Sequence, residues 1–160
     1  MFEQFPKTRP ALPEEIARIY VSWYRENREG GSAAAMAAAA LVTLAGGTLT
    51  QATGAASMAL QSMLGLICDP VAARVEIPCL GKNVIAASNA VSCANMALAG
   101  FDAMIPFDEV VGAAKSVAER MPREHRCTAL GGLATTPTAL RLSAELAARQ
   151  HMPDFAISST

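Results

Sequence analysis

Residues 30–68 carry no charged side chain, and the first part of that run, 32–45, is mostly alanine. A long uncharged run has few folded solutions: a membrane span, or helices buried on nearly every side. Here Gly46-Gly47 and Thr48-Leu49-Thr50-Gln51 cut it into two pieces. The alanine piece is only weakly apolar and is shorter than the roughly 20 residues a span needs. The pattern therefore predicts a buried hairpin of two antiparallel helices, 32–45 and 50–64, whose small side chains let the backbones approach closely. No membrane association is expected, although 52% of the residues are hydrophobic.

The remaining segments also read as helix. Pro13-Glu14-Glu15 opens a first helix to about residue 26, with Ile16, Ile19, Tyr20 and Trp23 at helical spacing. Ser32 caps the alanine-rich helix and Gly46-Gly47 ends it; Thr50 caps the next, which presents Met58, Leu60, Met63 and Leu64 before Gly65. A fourth helix follows Cys79 and stops at Gly100. A fifth runs from Asp108 to Met121-Pro122, and a last one starts at Thr136-Pro137 and fades before Met152-Pro153. One short segment, 73–77, alternates Val75 and Ile77 with charge and is the candidate strand. The expected fold class is all-α: a compact bundle of about five to six helices, with a central alanine-rich pair and a cysteine-bearing loop, 65–78, across one end.

At 160 residues the chain fits one domain and can bury a real core. A formal net charge of −1 and an isoelectric point near 6.1 provide no electrostatic footprint for nucleic acid. Four cysteines without a regular pattern, behind a Met1-Phe2-Glu3-Gln4 start that resembles no secretory leader, lead us to expect a reducing, cytoplasmic setting.

Chemistry concentrates at Leu64-Gly65-Leu66-Ile67-Cys68-Asp69-Pro70, followed eleven residues after Cys68 by Pro78-Cys79 and then by Lys82-Asn83. Asp69 and Pro70 break the helix, so two thiols sit on irregular backbone beside a helix end. That arrangement suits soft-metal or iron–sulfur ligation. The spacing alone is not that of a Cys-x-x-Cys pair, a zinc knuckle or a ferredoxin run, so buried packing of the two thiols stays open. Asp69 can orient the loop by accepting backbone N–H bonds. Lys82 and Asn83 are candidate donors to a substrate carboxylate or a cluster sulfide, against helix capping and solvation. Cys93 reads as core packing, Cys127 as a partly exposed bystander thiol and His125, flanked by charges, as solvated, while His151 belongs to the C-terminal tail. The eight methionines read mostly as core. Gly131-Gly132 ahead of Thr135-Thr136 reads as a tight turn, with an anion site at free backbone amides as the alternative.

The surroundings of these thiols are similar to a known family. Residues 64–83 resemble the cluster region in the α subunit or domain of the iron–sulfur-dependent bacterial L-serine dehydratases. The likeness continues through Asn95-Met96-Ala97-Leu98-Ala99-Gly100, Ile105-Pro106-Phe107-Asp108-Glu109-Val110-Val111 and Thr128-Ala129-Leu130-Gly131-Gly132-Leu133-Ala134-Thr135-Thr136-Pro137-Thr138. Upstream, Gly31-Ser32-Ala33-Ala34-Ala35-Met36-Ala37-Ala38 resembles the start of the family's alanine-rich helix. The resemblance implies a partial cluster domain over 29–138, a divergent segment over 1–28, and a C-terminal helix and tail over 139–160. It implies β-elimination of L-serine to pyruvate and ammonia in amino-acid catabolism and gluconeogenesis, with a [4Fe–4S] cluster as Lewis acid and no pyridoxal phosphate. Cys68 and Cys79 carry over as cluster ligands, and Lys82 and Asn83 as substrate-binding candidates; no catalytic base is assigned. The family's first cluster cysteine falls at Glu26 when the chains are aligned through 29–36, and its glycine-rich substrate loops have no counterpart in 1–28. Partners implied are L-serine and either the missing N-terminal part or a β subunit or domain, in a homo- or hetero-oligomer. The alternative is a truncated, catalytically inactive helical remnant or interaction module of that family.

Overall fold

The computed structural model describes residues 29–150. The expected helix before residue 26, Glu26 itself, the segment 1–28 and the tail with His151 lie outside the described residues. Five α-helices follow in order: α1 (Glu29–Leu44), α2 (Leu49–Gln61), α3 (Cys79–Leu98), α4 (Phe107–Arg120) and α5 (Pro137–Gln150). Short 3-10 turns stand at Val71–Ala73, Arg123–His125 and Gly132–Thr135. The fold is all-α.

Helices α1, α2 and α3 make one core. Its buried members are chiefly alanine: Ala34 and Ala38 from α1, Ala52, Ala55 and Ala59 from α2, and Ala86, Ala90, Ala94 and Ala97 from α3. Val42 and Met58 supply the larger volumes, and Cys93 is buried among them. A methyl-lined contact brings helix axes together at the short end of the usual range, so the long uncharged run is consumed by close packing. Helix α4 closes a second face, with Val110 and Ala114 against Ala35, Ala56 and Leu60.

The turn between α1 and α2 shows why two glycines stand there. Gly46 has φ +80°, and a Cβ on Gly47 would lie 2.5 Å from Val42 Cγ1. Beyond them Thr48, and not Thr50, caps α2: its hydroxyl accepts from the Gln51 amide while Gln51 Oε1 accepts from the Thr48 amide. The predicted cap at Ser32 is also displaced, because α1 already begins at Glu29 and Ser32 is buried inside it.

Side chains of α2 fasten the 101–106 loop to this core, and one side chain of α3 ties that helix to α2. Ser57 Oγ donates to Ile105 O at 2.6 Å, Gln61 Nε2 to Ala103 O at 3.1 Å, and Asn89 Nδ2 to Ala59 O at 2.9 Å. The predicted strand at 73–77 does not form. Val71 N donates instead to Ile77 O, which closes the segment on itself and leaves it no neighbouring strand. Helix α5 packs on the turns Val71–Ala73 and Gly132–Thr135, burying Ala139 and Ala134. No described helix is long and apolar enough to cross a membrane.

Candidate metal centre

Cys68, Cys79 and Cys127 meet at the corner where the loop after α2, the start of α3 and the loop after α4 converge. Cys68 Sγ lies 4.0 Å from Cys79 Sγ, and its thiol donates to Cys127 Sγ at 2.8 Å. Backbone pairing sets this geometry. Cys68 N donates to His125 O at 2.9 Å and Cys127 N to Cys68 O at 2.8 Å, a single parallel bridge between Cys68 and Arg126. Cys79 arrives as the first residue of α3, behind Pro78.

Cys68 and Cys79 are half-buried and Cys127 is exposed; all are free thiols. Burial, then the hydrogen bond to Cys127 and the two neighbouring sulfurs, hold the Cys68 thiol protonated well above the ordinary thiol range. A soft cation or an iron–sulfur core would reverse that balance by taking the proton's place. The fourth cysteine, Cys93, is buried in the α1–α3 core as its sequence context predicts, and burial raises its pKa too.

One carboxylate organises the corner. Asp69, 3% exposed, accepts from the Leu133 amide through Oδ2 at 2.8 Å and from Lys82 Nζ through Oδ1 at 2.5 Å. Burial works against the charge, but the Lys82 hydrogen bond, the Leu133 amide and the Lys82 charge prevail and hold the carboxyl below its usual range. Lys82 also donates to Ile67 O at 2.6 Å, so its ammonium ties the cysteine loop to α3. Asn83, one residue on, is exposed.

The Gly131-Gly132 motif takes its meaning from the same carboxylate. Gly132 has φ +62°, and a Cβ there would lie 2.5 Å from Asp69 Oδ2. The free amide after the glycines does bind an anion, and that anion is internal: Asp69. His125, read from sequence as solvated, is partly buried, and its Nδ1 is the one buried side-chain nitrogen or oxygen among the described residues without a hydrogen-bond partner.

The structure therefore brings Cys68, Cys79 and Lys82 to one corner, with Asn83 at its exposed edge. It adds Cys127, which sequence reading sets aside. Cys127 lies 59 residues from Cys68, and no local spacing announces the pairing. Among the described residues, no three His, Cys, Asp or Glu side chains already enclose a single metal-ion position. A separate open cleft of about 740 Å³ between α2 and the 100–108 loop is lined by Thr50, Ser57, Asp102 and Asp108, and by none of the thiols.

The family model described as "Serine dehydratase alpha chain" matches residues 27–134. The chain is 52% identical over 118 residues to a probable L-serine dehydratase alpha chain of Latilactobacillus sakei, covering 74% of this chain and 56% of that protein. It is 50% identical over 118 residues to a probable L-serine dehydratase alpha chain of Bacillus subtilis (strain 168), covering 74% and 39%. It is 48% identical over 114 residues to the L-serine dehydratase alpha chain of Peptoniphilus asaccharolyticus, covering 71% and 39%. The chain thus spans between about two fifths and just over half of the length of these relatives.

Proposed function

The chain belongs to the serine dehydratase alpha chain family, and from that premise we propose that it is the cluster-binding part of an L-serine dehydratase, which eliminates L-serine to pyruvate and ammonia. The observation that carries the proposal is the 4.0 Å approach of Cys68 and Cys79, two family-matched thiols from different elements. The donor set fits an iron–sulfur group: two soft, half-buried sulfur ligands, Cys68 on irregular backbone and Cys79 at the first residue of α3. When bound, such a cluster supplies a Lewis-acidic iron to the substrate hydroxyl.

The chain's own residues prepare that position. Asp69 and Lys82 fix the loop that presents Cys68, and the Leu133 amide fixes Asp69. With its ammonium engaged by Asp69 and Ile67 O, Lys82 acts here as a positioning residue. Asn83, exposed next to it, is the better placed of the two to donate to a substrate carboxylate.

The rest of the enzyme comes from elsewhere in this proposal. Leu80, Val84 and Val91 form an exposed apolar face on α3, each more than half exposed. A face of that kind supports packing against the remaining length of the family's chain or a β subunit. A second reading, an inactive remnant, draws on Glu26, which stands where the family aligns a third thiolate.

Anaerobic reconstitution with iron and sulfide tests the proposal. Iron and acid-labile sulfide per chain should fall by more than half in Cys68→Ala and Cys79→Ala relative to wild type and to Cys93→Ala. Equal retention in all four would overturn it. The chain alone should form little pyruvate from L-serine, and Glu26→Cys should raise cluster retention without restoring full turnover.

A further inference from the structure

Cys127 has no part in the ligand reading, yet it touches Cys68 more closely than Cys79 does. Two sulfurs in ordinary van der Waals contact stand well over 3 Å apart, whereas Cys68 and Cys127 stand at 2.8 Å as free thiols. Their backbones are held side by side by the Cys68 N to His125 O and Cys127 N to Cys68 O bonds. The bridge partner of Cys68 is Arg126, so Cys127 is the next residue along the facing backbone. Access is asymmetric: Cys127 is exposed, while Cys68 is half-buried.

We infer that Cys127 is a site of oxidation by hydroperoxides and that Cys68 is its resolving thiol, so that a Cys68–Cys127 disulfide withdraws Cys68 from metal binding. In the first step the Cys127 sulfur attacks one peroxide oxygen, the O–O bond breaks, and water or an alcohol leaves, giving a sulfenic acid. In the second the Cys68 sulfur loses its proton and attacks the Cys127 sulfur. The S–OH bond breaks, water leaves and the S–S bond forms. Two thiols give up two electrons and one hydroperoxide accepts them. A reducing thiol reverses the bond and returns Cys68 as a ligand. Only the last consequence rests on the cluster reading; the disulfide stands on the geometry alone.

The experiment treats the metal-free full chain with hydrogen peroxide, removes the peroxide, counts thiols in denaturant and maps peptides under non-reducing conditions. Titratable thiols should fall from four to two, with a single cross-link between the Cys68 and Cys127 peptides. Cys127→Ser should abolish that cross-link. A Cys68–Cys79 cross-link, or Cys127 carried to sulfinic acid while Cys68 stays reduced, would overturn the inference. In a second arm the oxidised chain is offered iron and sulfide. It should take up less than one tenth of the iron bound by reduced wild type, and regain uptake after dithiothreitol. Peroxide-treated Cys127→Ser, freed of peroxide, should bind as much iron as reduced wild type. If that variant binds none even when never oxidised, Cys127 is itself a ligand and the inference fails. If reduced wild type binds none while the cross-link forms, the cluster reading fails and the oxidation site stands.

Discussion

The alanine core and the thiol corner are built on opposite principles. In α1–α3, contact is made by methyl groups on regular helices, and every buried alanine is interchangeable in kind with its neighbours. In the corner there is almost no regular structure. Its shape depends on one carboxylate, one ammonium, one backbone bridge and a glycine pressed against Asp69. The core should tolerate the loss of any single contact and resist added volume. The corner should behave the other way, since each of its contacts is made once.

The largest effect is expected where the corner's single ion pair is broken. Asp69→Ala strands Lys82, whose side chain is 21% exposed, and leaves the Leu133 amide without its acceptor. Breaking a buried pair costs about 3–5 kcal/mol, and the partial exposure of Lys82 puts this case near the lower end, about 3 kcal/mol. Hydrogen exchange should report the loss at residues 65–78 and 121–136 while the α1–α3 amides stay protected. Equal loosening of both regions would erase the distinction.

Adding volume to the core tests the other side. Ala59 is fully buried between α1, α2 and α3, and Ala59→Leu should cost about 1–3 kcal/mol in urea unfolding through overpacking. A stabilised variant would mean that the helices are not in close contact. A smaller effect is expected at the entry to α2. Thr48→Ala removes the capping box and should cost about 1 kcal/mol. The same change at Thr50, the position sequence reading favours, should cost less.

Acid separates the regions more gently. Because the folded carboxyl of Asp69 is held below its ordinary value, its contribution is present above an unfolded pKa of about 3.9 and is lost as pH falls through the folded value. Exchange protection at the Leu133 amide should persist from neutral pH to about pH 4 and decline below it. In Asp69→Asn that acid-dependent decline should vanish, while the alanine core, which holds no carboxylate among its buried residues, should be indifferent in both.

What was legible follows the same division. Composition alone exposes the hairpin, because alanine without charge leaves few alternatives to burial, and the glycines at 46–47 mark its turn. Caps are misplaced by a few residues, since Ser32, Thr48 and Thr50 present the same hydroxyl and only the chain's path selects among them. The pair Cys68–Cys79 is legible through family likeness and the helix break at Asp69-Pro70. Cys127 and the Asp69–Leu133 bond are not, because both are side-chain contacts that join segments about 60 residues apart. The strand expected at 73–77 has the right alternation and lacks a partner.

The most direct test of the account asks which thiols a bound cluster shields. Anaerobic alkylation followed by peptide mass spectrometry, on the metal-free and the iron–sulfide-reconstituted chain, reads all four cysteines at once. Cys68 and Cys79 should become protected on reconstitution, Cys127 should stay reactive and buried Cys93 should be unreactive in both. Cys68 and Cys79 alkylated equally with and without the cluster would contradict it.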